Sequence, residues 1–137
     1  MPRVEIQMSN VLILIAEDED RLAAFIEKGL KNNGFETIVA ADGVQALEAI
    51  LQRRGSANDR QPVDLLLLDL GLPIKDGWAV LQEARAQHPD LPIIVVTAMT
   101  DERDRQRVLQ LGANDYLSKP FKFSDLLAKV KLYLDDV

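Results

Sequence analysis

The chain has no cysteine and only one histidine, His88, in 137 residues. The first absence excludes disulfides, thiol nucleophiles and cysteine zinc sites, and one histidine cannot build a histidine-rich metal centre. No apolar run reaches the roughly 18 residues of a membrane span, and the N-terminus lacks the basic start and long apolar segment of a secretory signal. A cytoplasmic protein with no membrane association is expected. Bases are in the minority, 16 Lys and Arg against 22 Asp and Glu, for a net charge of −6. That balance argues against direct nucleic-acid binding and suits protein partners and a cationic cofactor.

What is present suffices for one core: 47% of the residues are hydrophobic and 28% charged. Short apolar runs alternate with helical periodicities. Residues 11–16, 36–40, 64–69, 93–97 and 116–118 read as strands, and VLILIA, LLLLDL and IIVVT are the nearly continuous runs of a parallel sheet covered on both faces. Between them Leu22, Phe25, Ile26, Gly29 and Leu30 recur at helical spacing, as do Val44, Leu47, Ile50 and Leu51, then Leu126, Leu127, Val130 and Leu134. Asp20, Asp42 and Ser124 are expected N-caps, and Gly34 an expected left-handed C-cap. Five β-α units joined by right-handed crossovers predict an open parallel α/β sheet with helices on both faces. Residues 11–134 form that domain, 1–10 a lead-in with Met8 as a second candidate start, and 135–137 a tail. The polar stretch RRGSANDRQP, 53–62, reads as a surface insertion between the second helix and the third strand.

Ligands of open α/β sheets bind beyond the carboxyl ends of the strands. The first strand runs directly into acids, VLILIAEDED, so Glu17 and Asp18 stand at its end; Asp69 closes the third, Thr97 the fourth, and Lys119 follows the fifth. Two like charges 4 Å apart repel by about 4 kcal/mol at an effective dielectric of ~20. Three acids brought together therefore call for a cation, and hard oxygen ligands favour Mg²⁺ or Mn²⁺ over zinc. An EDED run alone is more often a helix start than a site, and Glu19 and Asp20 read as first-turn and capping acids. Asp69 is harder to explain that way, since it ends a strand otherwise wholly apolar.

Glu17-Asp18, Asp69, Thr97-Ala98 and Lys119-Pro120, together with LLLLDLGLPIKDGW and GANDYLSKPF, resemble the receiver domain of two-component response regulators over residues 11–134. The resemblance implies a flavodoxin-like, doubly wound (βα)5 fold with a five-stranded parallel sheet in the order 2-1-3-4-5. It implies phosphorylation of Asp69 by a histidine-kinase phosphodonor, with Mg²⁺ (Mn²⁺ as substitute) on Asp18, Asp69 and the Gly71 carbonyl, and Glu17 acting through a water. Lys119, Thr97 and Ala98 would receive the phosphoryl group, and Thr97 and Tyr116 would form the switch. A sensor histidine kinase or phosphotransfer protein is the implied partner. The C-terminal third is similar to receivers of winged-helix transcription factors, which dimerise when phosphorylated; Asp115 and Lys129 would lie in that interface, Lys129 where arginine is usual. Such a domain is no enzyme beyond its own phosphorylation and dephosphorylation.

Other readings fit less well. A dehalogenase-type phosphatase wants a second aspartate where Gly71 stands, no GxxxxGK[ST] loop exists for a nucleotide, and EDED is hostile to a flavin phosphate. A degenerate receiver that binds partners without phosphorylation is the remaining alternative. Asp76-Gly77 reads as a turn whose glycine supplies backbone freedom, Trp78 as packing, His88 as a surface residue, and Met99 and Gly71 as positions that tune water access.

Overall fold

A computed structural model describes residues 11–53, 61–99 and 101–134. Strands and helices alternate throughout: β1 (Leu12–Ala16), α1 (Asp20–Asn32), β2 (Glu36–Ala40), α2 (Gly43–Gln52), β3 (Leu65–Leu68), α3 (Gly77–Gln87), β4 (Ile93–Thr97), α4 (Glu102–Gln110), β5 (Asp115–Ser118) and α5 (Phe123–Leu134). All pairings are parallel, and the five strands stand in the order β2-β1-β3-β4-β5. Expected and observed strands agree to within a residue at each end. Among the described residues no helix is long and apolar enough to cross a membrane. Residues 1–10, 135–137 and most of the 53–62 insertion lie outside the described residues. Near the two ends of that stretch the Arg53 Nη1 donates to the Gln61 carbonyl at 3.1 Å.

The unbroken apolar strands are a consequence of burial on both sides. Leu12, Leu14, Ala16, Leu66, Leu68, Ile93 and Val95 face α2, α3 and α4, whereas Ile13, Ile15, Leu65, Leu67, Ile94 and Val96 face α1 and α5. Successive strand residues point to opposite faces, so LLLL must be apolar at every position to fill two cores. Trp78 packs against the first core, as its apolar bulk suggested, and His88 is a half-buried C-cap residue at the end of α3.

Helix ends show where capping rules hold and where neighbours override them. Asp42 accepts from the Gln45 amide at 2.8 Å as expected. Gly34 adopts φ +93°, and the bonds from its amide to the Lys31 carbonyl and from Phe35 to the Leu30 carbonyl terminate α1 in the expected left-handed turn. Two expected caps are corrected. Asp20 is the first residue of α1 and Glu19 is its N-cap, with no side-chain bond of its own. The Glu19 amide is instead held by the Glu17 carboxylate at 3.1 Å, so the acid that belongs to the cleft also fixes where the helix starts. Ser124 lies within α5, which begins one residue earlier.

Arg85 on α3 carries more structure than its place in the sequence suggests. Its guanidinium donates to the Gly112 carbonyl at 3.0 and 2.7 Å, to the carbonyls of His88 and Pro89 at 3.1 and 2.8 Å, and to Asn114 Oδ1 at 2.9 Å. Asn114 Oδ1 also accepts from the Ile93 amide at 2.8 Å, so one side chain ties the end of α3 to the starts of β4 and β5. A lysine offers one nitrogen where this site uses three, leaving carbonyls unmet. Arg85→Lys is expected to cost about 2 kcal/mol, measured by urea denaturation.

Candidate functional site

Register brings the acids together. Ala16 pairs with Leu68, and the Asp69 amide donates to the Ala16 carbonyl at 3.0 Å, so the residues after β1 and β3 emerge side by side. Carboxylate oxygens of Glu17, Asp18 and Asp69 lie within 4.8 Å of one another; Glu17 and Asp69 are buried and Asp18 exposed. Asp69 stands one residue beyond the end of β3 rather than within it. Its Oδ1 accepts from the Gly71 amide at 3.1 Å, which orients the carboxylate.

Lys119 enters from the loop after β5. Its Nζ lies 2.9 Å from Glu17 Oε1 and 3.2 Å from Asp69 Oδ2, and its amide donates to the Thr97 carbonyl at 2.8 Å. The Lys119-Pro120 peptide bond is cis. Burial lifts the Glu17 carboxyl above its ordinary range; the Lys119 ammonium and the Glu19 amide oppose that rise, and the Asp69 charge adds to it. Burial pulls the Lys119 ammonium down, but the bonds and charges of Glu17 and Asp69 outweigh it and hold the pKa above the usual value. Lys119 is therefore a fixed positive charge at neutral pH.

Among the described residues three carboxylates converge beside one ammonium, which pairs with Glu17 and Asp69, a formal excess of two negative charges. The donor set consists of oxygens, with no histidine or thiolate, and its charge matches a divalent cation. The residues fit Mg²⁺ or Mn²⁺.

Thr97 closes β4 with its side chain buried, its Oγ1 accepting from the Met99 amide at a long 3.4 Å, while Ala98 is exposed. Tyr116 is buried as well, and its hydroxyl donates to the Met99 carbonyl. Burial pushes its phenol pKa up. Asp115 and Lys129, expected at a surface for a second copy, are paired with each other within the chain at 3.0 Å.

The glycines correct one further expectation. Gly77 is required by close approach: a Cβ there would sit 2.3 Å from the Asp69 carbonyl oxygen and 2.4 Å from the Leu70 Cα. Asp76 is the N-cap, accepting from the Ala79 amide at 3.0 Å. A Cβ on Gly43 would lie 1.8 Å from the Lys75 carbonyl oxygen. At Gly71 the nearest atom would be Asp69 Oδ1 at 3.9 Å, so the cleft is open there. Nothing in the local sequence distinguishes these roles, because the atoms that crowd Gly43 and Gly77 come from loops packed against them.

The doubly wound α/β domain thus gathers three carboxylates, a lysine and a buried threonine at adjacent strand ends. A model of the response regulator receiver domain matches residues 13–131, and the chain belongs to that family. It is 38% identical over 122 residues to the transcriptional regulatory protein PrrA of Mycobacterium tuberculosis, covering 89% of this chain and 49% of that protein. The transcriptional activator protein IrlR of Burkholderia pseudomallei is 39% identical over the same shares. The chain thus spans about half the length of the curated relatives it matches. Among solved structures, the beryllofluoride-activated N-terminal receiver domain of Klebsiella pneumoniae RstA has a TM-score of 0.79 at 29% identity, covering 90% of this chain and 97% of that one. The Francisella response regulator 1452 receiver domain has the same TM-score and identity, covering 91% of this chain. Receiver domains are signalling modules rather than members of an enzyme family.

Proposed function

We propose that Asp69 accepts a phosphoryl group from a sensor histidine kinase or phosphotransfer protein. The observation that carries this reading is the residual charge of the cleft: three carboxylates against one lysine, beside an oriented aspartate. Asp18, Asp69, the Gly71 carbonyl and, through a water, Glu17 would hold Mg²⁺, which supplies charge neutralisation and alignment when bound. An Asp69 oxygen attacks phosphorus, a bond forms there, and the bond from phosphorus to the donor's leaving atom breaks, that atom retaining the electron pair. Lys119 is already beside Asp69 and would transfer part of its pairing to a phosphoryl oxygen. The Thr97 hydroxyl would bond another, and exposed Ala98 leaves the space clear.

The response is a two-state shift in Thr97 and Tyr116 that charge on Asp69 biases. Residues 11–134 form the functional unit, the setting is cytoplasmic, and nucleic acid is bound by another part of a longer regulator, if that regulator is transcriptional. Pairing of two copies through Asp115 and Lys129 requires them to exchange their present intrachain bond for one between copies. No position of the site is missing, which disfavours a phosphorylation-independent interaction module.

Incubation with acetyl phosphate and Mg²⁺ is expected to add one phosphoryl group by intact mass, and EDTA to abolish the adduct. An unchanged mass, together with no rise in Tm on adding Mg²⁺ and beryllofluoride, would return the assignment to the interaction module.

A further inference from the structure

The C-terminal end of α5 is connected to the cleft by a continuous run of hydrogen bonds. Tyr133 Oη lies 2.9 Å from the Asn114 carbonyl oxygen and 3.1 Å from Asp115 Oδ2, sharing its proton between them. The other Asp115 oxygen accepts from the Tyr116 amide at 2.8 Å and from Lys129 Nζ at 3.0 Å. The Tyr116 hydroxyl then bonds the Met99 carbonyl, and the Met99 amide reaches Thr97 Oγ1. Both oxygens of Asp115 are thereby engaged from α5 of the same chain, and the start of β5 is held on this side by Tyr133 and Lys129 and on the other by Arg85 through Asn114.

We infer that Tyr133 is a positioning residue for the Thr97–Tyr116 switch: its hydroxyl clasps Asp115 and thereby favours the arrangement in which Tyr116 is buried against the loop after β4. The inference rests on the reading of Asp69 as phosphoacceptor and extends the switch to α5. Packing alone does not account for the phenol. The Tyr133 ring lies against the core formed with α1, which a phenylalanine would serve equally, while its oxygen is used on β5. Burial and the Asp115 charge hold that phenol protonated and able to donate. Both sites bias one element, the first residues of β5, which is the condition for energetic coupling, and coupling between two sites is reciprocal. An anion that engages Thr97 is bound more tightly when Tyr116 is already held inward.

Calorimetric titration of Mg²⁺-loaded protein with beryllofluoride tests this on the parent, Tyr133→Phe, Tyr116→Phe and the double variant. Tyr133→Phe is expected to weaken binding about three- to tenfold, within the range of ordinary allosteric couplings. In the Tyr116→Phe background, where the link to Met99 is cut, the same change is expected to have less than about twofold effect, a non-additivity that loss of packing does not produce. Equal affinities of parent and Tyr133→Phe, or the same weakening in both backgrounds, would overturn the inference while leaving the phosphoacceptor reading intact. A parent that binds no beryllofluoride would overturn that reading itself, and the inference with it.

Discussion

Asp69→Asn is expected to take up no phosphoryl group from acetyl phosphate and to unfold at a higher temperature than the parent. The first outcome follows from chemistry, since an amide oxygen is a poor nucleophile toward phosphorus. The second follows from the charges. Removing Asp69's charge forfeits an attraction to Lys119 at 3.2 Å, about 5 kcal/mol at an effective dielectric of ~20. It also removes repulsions from Glu17 and Asp18, whose oxygens lie within 4.8 Å, at about 3.5 kcal/mol each on the same scale. The balance favours the variant by about 2 kcal/mol, and screening at exposed Asp18 reduces that to about 1 kcal/mol. Mg²⁺ is expected to narrow the difference, because a bound cation would stabilise the parent's three acids more than the variant's two.

Acid narrows it too. Glu17's pKa is raised in the folded state by burial and, in smaller part, by Asp69. A carboxyl raised on folding costs stability while ionised, and that cost is lost as pH falls through its folded pKa toward the unfolded value. The advantage of Asp69→Asn is therefore full above Glu17's raised folded pKa and declines as pH falls through it and Glu17 takes up a proton. Thermal denaturation at several pH values, with and without Mg²⁺, measures both trends. A variant less stable than the parent in metal-free neutral buffer would contradict the account.

Gly77→Ala is expected to lower stability by about 3 kcal/mol, which for a domain of this size is a fall in Tm of about 10 °C. The added methyl has no flexible neighbour to displace: its contacts at 2.3 and 2.4 Å are the Asp69 carbonyl oxygen and the Leu70 Cα, both backbone. Relief requires moving the segment that carries Asp69, the proposed phosphoacceptor, so the remaining folded protein should also be phosphorylated more slowly. Gly71→Ala is the control. Its Cβ meets only Asp69 Oδ1 at 3.9 Å, ordinary contact, so stability changes by less than about 1 kcal/mol. If Gly77→Ala left Tm and phosphorylation rate unaltered, the close packing of this turn on Asp69 would have no consequence.

The five β-α units and the cleft acids were legible in the sequence because each has a local signature. Runs such as LLLL need two covered faces, and a carboxylate at the end of such a run has no apolar explanation. Asp42 and Gly34 were legible for the same reason, since a cap bond spans only a few residues. Asp20 was misread as a cap because the Glu17 carboxylate, committed to Lys119, also holds the Glu19 amide. One oxygen of that carboxylate makes the local bond to Glu19, and the other reaches Lys119 only once the β5 loop has brought it to β1.

By itself, then, the chain determined its strand and helix order, its two-faced core, and the identity of the acids, threonine and lysine gathered at the strand ends. Tertiary structure alone decided that Gly43 and Gly77 are glycines for want of space, that Arg85 ties α3 to β4 and β5, and that Asp115 is held by Lys129 and Tyr133 of its own chain. The physical reason is range: burial and capping depend on nearest neighbours along the chain, whereas close approach and hydrogen bonding between distant segments depend on which surfaces the crossovers press together.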